Sequence, residues 1–252
     1  MDLLLSSATH RSGSTLLQRM FNARKKTLIW GENGGCLTAF RNIHRNALYY
    51  AEHSKQERAD YFAGGEEPNH WIATMTPPKE NVTESMVHSV KTFHDTLYVT
   101  GHRKTHDLIG YKEVRYGEGE LNLFRMCYPN AVILLLIRHP VDVWKSVSHN
   151  AKITRYQSIR QFSSLWNDRV RSYNHLSHTD ANIHLIRYED MIAKDIATMN
   201  RIKQIGKLKD EHIDKVLSVK ISSSSRPIPW QQEHEILRRS QHMLRKMGYR
   251  YE

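Results

Sequence analysis

The chain has 252 residues, with 37 Lys plus Arg against 26 Asp plus Glu, and a formal net charge of +11 with histidine neutral. That length suits a single domain with a sizeable core, and that charge points to an anionic partner. Cys36 and Cys127 are too few for a disulfide framework, no apolar run approaches the ~20 residues of a spanning helix, and residues 3–5 are too short for the apolar core of a signal peptide, so the expected location is the cytoplasm.

Leu3, Leu4 and Leu5 open a first strand. They run into Ser6-Ser7-Ala8-Thr9-His10-Arg11-Ser12-Gly13-Ser14-Thr15 and then into the helix-like Leu16-Leu17-Gln18-Arg19-Met20-Phe21. A strand, a small-residue turn and a helix start make a cradle for a tetrahedral anion, because N–H groups at a helix N-terminus carry partial positive charge and lack intrahelical partners. Gly13 lets the backbone approach the anion, Ser12, Ser14 and Thr15 add hydroxyls, and Arg11 adds a cation at the mouth. A ligand-free turn ending in a capping serine is the competing reading. The ATP-binding pattern of Gly, four residues, then Gly-Lys-Ser/Thr is not met. Gly13 is followed by Ser14, and Ala8 stands five residues before it.

Residues 27–30 read as a second strand, ending at Gly31-Glu32-Asn33-Gly34-Gly35. A helix is predicted over about 37–62, with Phe40, Ile43, Ala47, Tyr50 and Ala51 as its apolar stripe. Gly64-Gly65 and Pro77-Pro78 break the chain, and 63–80 is expected to be a loop or lid on the substrate side. Residues 81–97 are helical, 108–113 a strand and 121–127 a helix. The apolar run 131–137 has the character of a strand buried on both faces of a parallel sheet. It ends in Arg138-His139-Pro140, where Pro140 fits the first turn of a helix over 141–147. Arg138 thus stands at the carboxyl end of a strand, where open α/β sheets place ligands. With Ser146, two turns into the helix, it is placed to share one phosphate; the competing reading is an arginine capping a surface loop beside a solvated serine. An amphipathic helix over 159–176, a last strand over 183–187, helices within 190–219 and 232–247, and a short polar loop at 222–225 complete an α/β chain with a central parallel sheet flanked by helices.

Together these segments resemble the sulfotransferase family, whose sulfuryl donor is 3′-phosphoadenosine 5′-phosphosulfate (PAPS). Arg11-Ser12-Gly13-Ser14-Thr15-Leu16-Leu17 is similar to the family's 5′-phosphosulfate loop. Arg138-His139-Pro140 with Ser146 resembles its 3′-phosphate motif, with His139 where aspartate is usual. Ile186-Arg187-Tyr188-Glu189-Asp190 is similar to its later strand ending in Tyr-Glu-Asp. The order and spacing fit over about residues 1–195.

The resemblance implies one sulfotransferase domain over 1–252 with a P-loop NTPase-like fold. It implies PAPS as donor and 3′,5′-ADP as product, without a metal. PAPS carries roughly four negative charges, which suits a chain of this sign. Arg11, Ser12, Gly13, Ser14 and Thr15 would hold the phosphosulfate, and Arg138, Ser146 and Arg226 the 3′-phosphate. Lys112, at the end of a strand, is the second cation. Glu32 is the candidate base, with His102, His106 and Glu113 as alternatives. Trp30, Trp230 and Tyr188 are candidates to stack on adenine. The acceptor is a small-molecule, glycan or peptide hydroxyl (or an amine), with loops at 33–80 and 152–160 shaping its pocket. Two other classes stay open: a P-loop ATP-dependent kinase, and a non-catalytic nucleotide-binding protein on the same scaffold. Lys and Arg are scattered rather than interleaved with aromatics, which argues against nucleic acid. The 16 His are dispersed and assemble no ligand set for a metal.

Overall fold

A computed structural model describes residues 1–219 and 226–250 of the chain; the polar loop expected at 222–225 lies outside the described residues. Five strands form a parallel sheet: β1 (Leu3–Ser7), β2 (Thr27–Trp30), β3 (Leu108–Glu113), β4 (Val132–Ile137) and β5 (Ile183–Arg187), in the order β2-β3-β1-β4-β5. The central strand β1 is buried along its whole length, which is why it reads as an unbroken apolar run rather than an alternation. Side chains still alternate between faces. Leu4, Tyr111, Ile133, Leu135 and Ile137 enter one core, and Leu3, Leu5, Ile29, Leu134 and Leu136 the other. Gly110 lies opposite Leu3 in the register, and a Cβ there would stand 2.2 Å from the Leu3 carbonyl oxygen. A side chain at that point would push β3 off β1.

The helices are α1 (Ser14–Asn22), α2 (Cys36–His53), α3 (Lys55–Ala63), α4 (Lys79–His94), α5 (Glu118–Cys127), α6 (Pro140–Ser146), α7 (His149–Ala151), α8 (Ile159–Thr179), α9 (Tyr188–Ile192), α10 (Ile196–Gly206), α11 (Asp210–Leu217) and α12 (Trp230–Lys246). The single helix expected over 37–62 is two, parted at Ser54. This serine is fully buried. Its hydroxyl donates to the Tyr50 carbonyl and accepts from the Thr76 N–H, so it competes with the helical ladder at that point. Between the end of α3 and the start of α4, residues 64–78 form a largely exposed loop with a 3₁₀ turn at Pro68–His70. They are not among the residues that border the cleft described below. Short π-helical turns, Asp95–Val99 and Lys152–Tyr156, follow α4 and α7. Among the described residues, no helix is long and apolar enough to cross a membrane.

Candidate active site

One cleft of about 520 Å³ opens at the carboxyl ends of the strands, where a parallel sheet leaves room between diverging loops. Its floor is the turn after β1. Arg11 has φ 67° and Gly13 φ 89°, so the chain enters the left-handed region twice in three residues and α1 starts immediately at Ser14. Ser12 is fully buried, and its hydroxyl lies 3.0 Å from that of Thr9 and donates to the Thr9 carbonyl at 2.9 Å. It shapes the loop from within and is not a wall of the cleft, whereas Arg11, Gly13, Ser14 and Thr15 are. The N–H groups of Leu16 and Leu17 already bond the Gly13 carbonyl, and those of Ser14 and Thr15, ahead of them, have no intrahelical acceptor.

Gly13 is required for a second reason. A Cβ there would overlap the Cδ2–Cε2 edge of the Tyr188 ring. The variant Gly13→Ala combines that overlap with a backbone conformation unfavourable to any L side chain. It is expected to destabilise the protein by about 1–3 kcal/mol, read by thermal melting, and to weaken nucleotide binding, read by calorimetry.

The second wall comes from β4 and α6. Arg138 leaves the end of β4, donates from Nη1 to the Arg11 carbonyl at 3.0 Å and stacks 4.4 Å above the Tyr188 ring. Its Nε is buried and has no hydrogen-bond partner among the described residues. A buried orphan donor is costly, so this guanidinium is not fully satisfied by the protein around it. Ser146, the last residue of α6, donates to the Val143 carbonyl at 2.8 Å and borders the same cleft, as does Arg226, whose N–H is held by the Lys145 carbonyl at 3.0 Å. The Tyr-Glu-Asp segment has a structural part in this wall. Tyr188 wedges between Gly13 and Arg138, and Glu189 accepts from the His139 N–H at 2.8 Å and from the Tyr249 hydroxyl at 2.9 Å, fixing the turn into α6.

The third wall holds a carboxylate clamp. Glu32, just past β2, receives Lys112 Nζ on Oε1 at 2.5 Å and Arg115 Nη1 on Oε2 at 3.1 Å. Lys112 is 5% exposed and meets the cleft only through Glu32, so the structure places it behind the carboxylate instead of at the surface of the cleft. Partial burial opposes ionisation of Glu32. The hydrogen bond and charge of Lys112, with help from His10 and Arg115, outweigh it and hold the carboxyl below its ordinary range. Glu113 is fully buried and takes the N–H groups of Gly35 and Val114 and the Arg115 guanidinium. It is a fastening for the clamp and, like His102 and His106, does not border the cleft.

Of the four base candidates named from sequence, Glu32 alone lines the cleft; of the three stacking candidates, Tyr188 alone does. Trp30 donates to the Tyr98 carbonyl, and Trp230 is an exposed residue at the start of α12. Sequence reasoning passed over His10 and Arg155, which also border the cleft. Burial and then the Arg155 guanidinium push the His10 pKa down to about 4, against the pull of Glu32, and Arg115 and Arg169 add to the fall. His10 is therefore neutral near pH 7. Its place directly before Arg11 was the available signal. Arg155 and Tyr156 come from the 152–160 segment, so that loop borders the cleft; no residue of 33–80 is among its lining. Among the described residues, no group of three or more His, Cys, Asp or Glu is placed to hold a metal ion.

A strand-end loop of this form beside an arginine wall makes a cationic cleft at the carboxyl ends of the strands of an α/β scaffold. A sequence model of the Sulfotransferase family matches residues 8–209, and the chain belongs to that family. The fold is similar to the sulfotransferase domain of the olefin synthase of Synechococcus PCC 7002, at 15% identity and a TM-score of 0.57 over 99% of this chain and 95% of that one. It is equally similar to the sulfotransferase domain of the curacin biosynthetic pathway, at 13% identity and a TM-score of 0.57 over 100% and 99% of the two chains. No curated protein matches the chain.

Proposed function

We propose that the protein transfers a sulfuryl group from PAPS to an acceptor hydroxyl. The observation that carries this reading is the convergence of Arg11, after β1, and Arg138, after the neighbouring β4, on one cleft. Two cationic strand ends side by side suit a donor with a charged group at each end of one nucleoside. Bound there, PAPS supplies an activated sulfuryl group whose leaving group is a phosphate. Arg11, Ser14, Thr15 and the first N–H groups of α1 hold the phosphosulfate, with Gly13 giving the close approach and Ser12 bracing the turn. Arg138, Ser146 and Arg226 hold the 3′-phosphate, and Tyr188 offers its ring to the nucleoside. Charge-assisted contacts of this kind contribute about 1.5–3 kcal/mol each, and aimed at developing charge they lower the barrier without reorganisation. Glu32, kept ionised by Lys112 and Arg115, draws the proton from the acceptor. The acceptor is a small-molecule, glycan or peptide hydroxyl, and Cys36 and Cys127, both unpaired, fit a cytoplasmic enzyme.

Calorimetry separates this reading from an ATP-dependent kinase. Tight binding of 3′,5′-ADP with none of Mg-ATP is expected, and the reverse would overturn the assignment. Transfer of label from PAPS to a panel of hydroxyl acceptors separates it from a non-catalytic nucleotide binder. Because arginine, lysine and main-chain donors suffice for a singly charged sulfuryl group, transfer is expected to persist in excess chelator; loss restored by Mg²⁺ would return the kinase reading.

A further inference from the structure

A guanidinium whose hydrogen bonds among the described residues go to main-chain oxygens bridges two strand ends beside the cleft. Arg169, on α8, donates from Nη1 to the carbonyl oxygens of Ala8 and Val114, each at 3.0 Å, and from Nη2 to that of Arg115 at 2.7 Å. The three acceptors come from two separate strand ends. Ala8 is the first residue past β1 and opens the donor loop, while Val114 and Arg115 are the first two past β3. The β1–β3 ladder ends at Ser6 opposite Glu113. Beyond it the strands part, and their carbonyls need other donors.

One planar fork supplies donors to all three. The single ammonium of a lysine, as a point charge, lacks that reach. On the far side, the Arg115 side chain grips Glu32 Oε2 at 3.1 Å and Glu113 Oε1 at 2.7 Å. The main chain that begins the donor loop and the main chain that carries the clamp on Glu32 are therefore referenced to the same group.

We propose that Arg169 is a positioning residue for the transfer reaction, fixing the spacing between the donor loop and the Glu32 carboxylate through Arg115. This rests on the sulfuryl-transfer reading. Misplacing a reacting group by about 1 Å costs roughly 10²-fold in rate, so a spacer of this kind acts on kcat more than on donor affinity.

The test is Arg169→Lys, with 3′,5′-ADP affinity measured by calorimetry and kcat measured with labelled PAPS and the acceptor that turns over fastest in the panel. The expected result is a fall in kcat of about 10- to 100-fold with affinity changed by less than about threefold. In a Glu32→Gln background the same substitution should add less than about threefold, since the group it positions is already gone. Arg115→Gln, which releases the clamp from its other end and leaves the Ala8 contact in place, should reproduce the split if the Arg169 variant does not fold. Unchanged kcat, equal losses of affinity and kcat, or a full additive loss in the Glu32→Gln background would overturn the proposal. Wild-type protein that fails to bind 3′,5′-ADP would instead remove the donor reading on which it stands.

Discussion

Replacing Glu32 by glutamine is expected to lower sulfuryl transfer by roughly 10²- to 10⁴-fold, the usual worth of a positioned base, while 3′,5′-ADP binds as in the wild type. Glutamine keeps one oxygen, enough to accept from Lys112 or from Arg115 but not both, and its NH2 group faces the other cation, so the variant removes the charge and one of the two bonds of the clamp. The cost to folding is that of a mostly buried Lys112 facing a neutral partner together with one lost clamp bond, about 1–3 kcal/mol, read separately by thermal melting. The pH profile gives a second handle. Partial burial works against ionisation of Glu32, yet Lys112, His10 and Arg115 hold its pKa below the ordinary carboxylate value. A depressed folded-state pKa means that the pairing stabilises the protein above the unfolded value and that this contribution is lost as pH falls through the folded one. Activity that needs the carboxylate should therefore persist down to pH values below the normal carboxylate range, and the acid limb should vanish in Glu32→Gln. Unaffected turnover in that variant would move the base to another group on the cleft, such as His10, which is neutral and stands beside Arg11.

The inner strands were legible because they are buried on both faces: residues 3–5 and 132–137 are unbroken apolar runs. The edge strands β2 and β5 are only partly buried, and they were read from the short apolar runs at 27–30 and 183–187. The break at Ser54 was not legible, because it depends on a hydroxyl reaching Thr76, a residue more than twenty positions away. Half of the site could be read for a related reason. Arg11, Gly13 and Arg138 stand in local patterns where a strand end meets a helix start, so sequence spacing alone places them. Arg115, Arg155 and Arg169 carry no such local signature. Their meaning comes from what α8 and the 152–156 turn bring against the strand ends, and a scattered arginine in a basic chain looks the same whether it is solvated or holds three carbonyls. Lys112 shows the converse. Its position at a strand end was readable, but the side that it faces was set by Glu32, which takes its ammonium and stands between it and the cleft.

Removing Arg138 is expected to weaken 3′,5′-ADP binding by roughly 10- to 150-fold, the affinity equivalent of about 1.5–3 kcal/mol for hydrogen bonds to a charged group. Arg138→Ala loses two things at once. It removes the guanidinium whose buried Nε lacks a partner and whose charge faces the cleft, and it releases the Arg11 carbonyl that Nη1 holds while Arg11 sits at positive φ. Arg138→Lys distinguishes the two losses. The lysine keeps the charge but not the fork, so if bidentate phosphate contact dominates, the lysine variant should fall close to alanine; if long-range charge dominates, it should stay near wild type. Ser146→Ala removes one hydroxyl and should cost less, about 0.5–1.5 kcal/mol, or two- to tenfold in affinity. Its side chain already bonds to the Val143 carbonyl, so the helix end loses little. The ordering matters as much as the sizes. An arginine-to-alanine loss well above the serine-to-alanine loss, with AMP binding insensitive to both, assigns these residues to the 3′-phosphate. Wild-type affinity in both variants would leave the β4 end without its proposed ligand and would undo the pairing of two strand ends on one nucleotide.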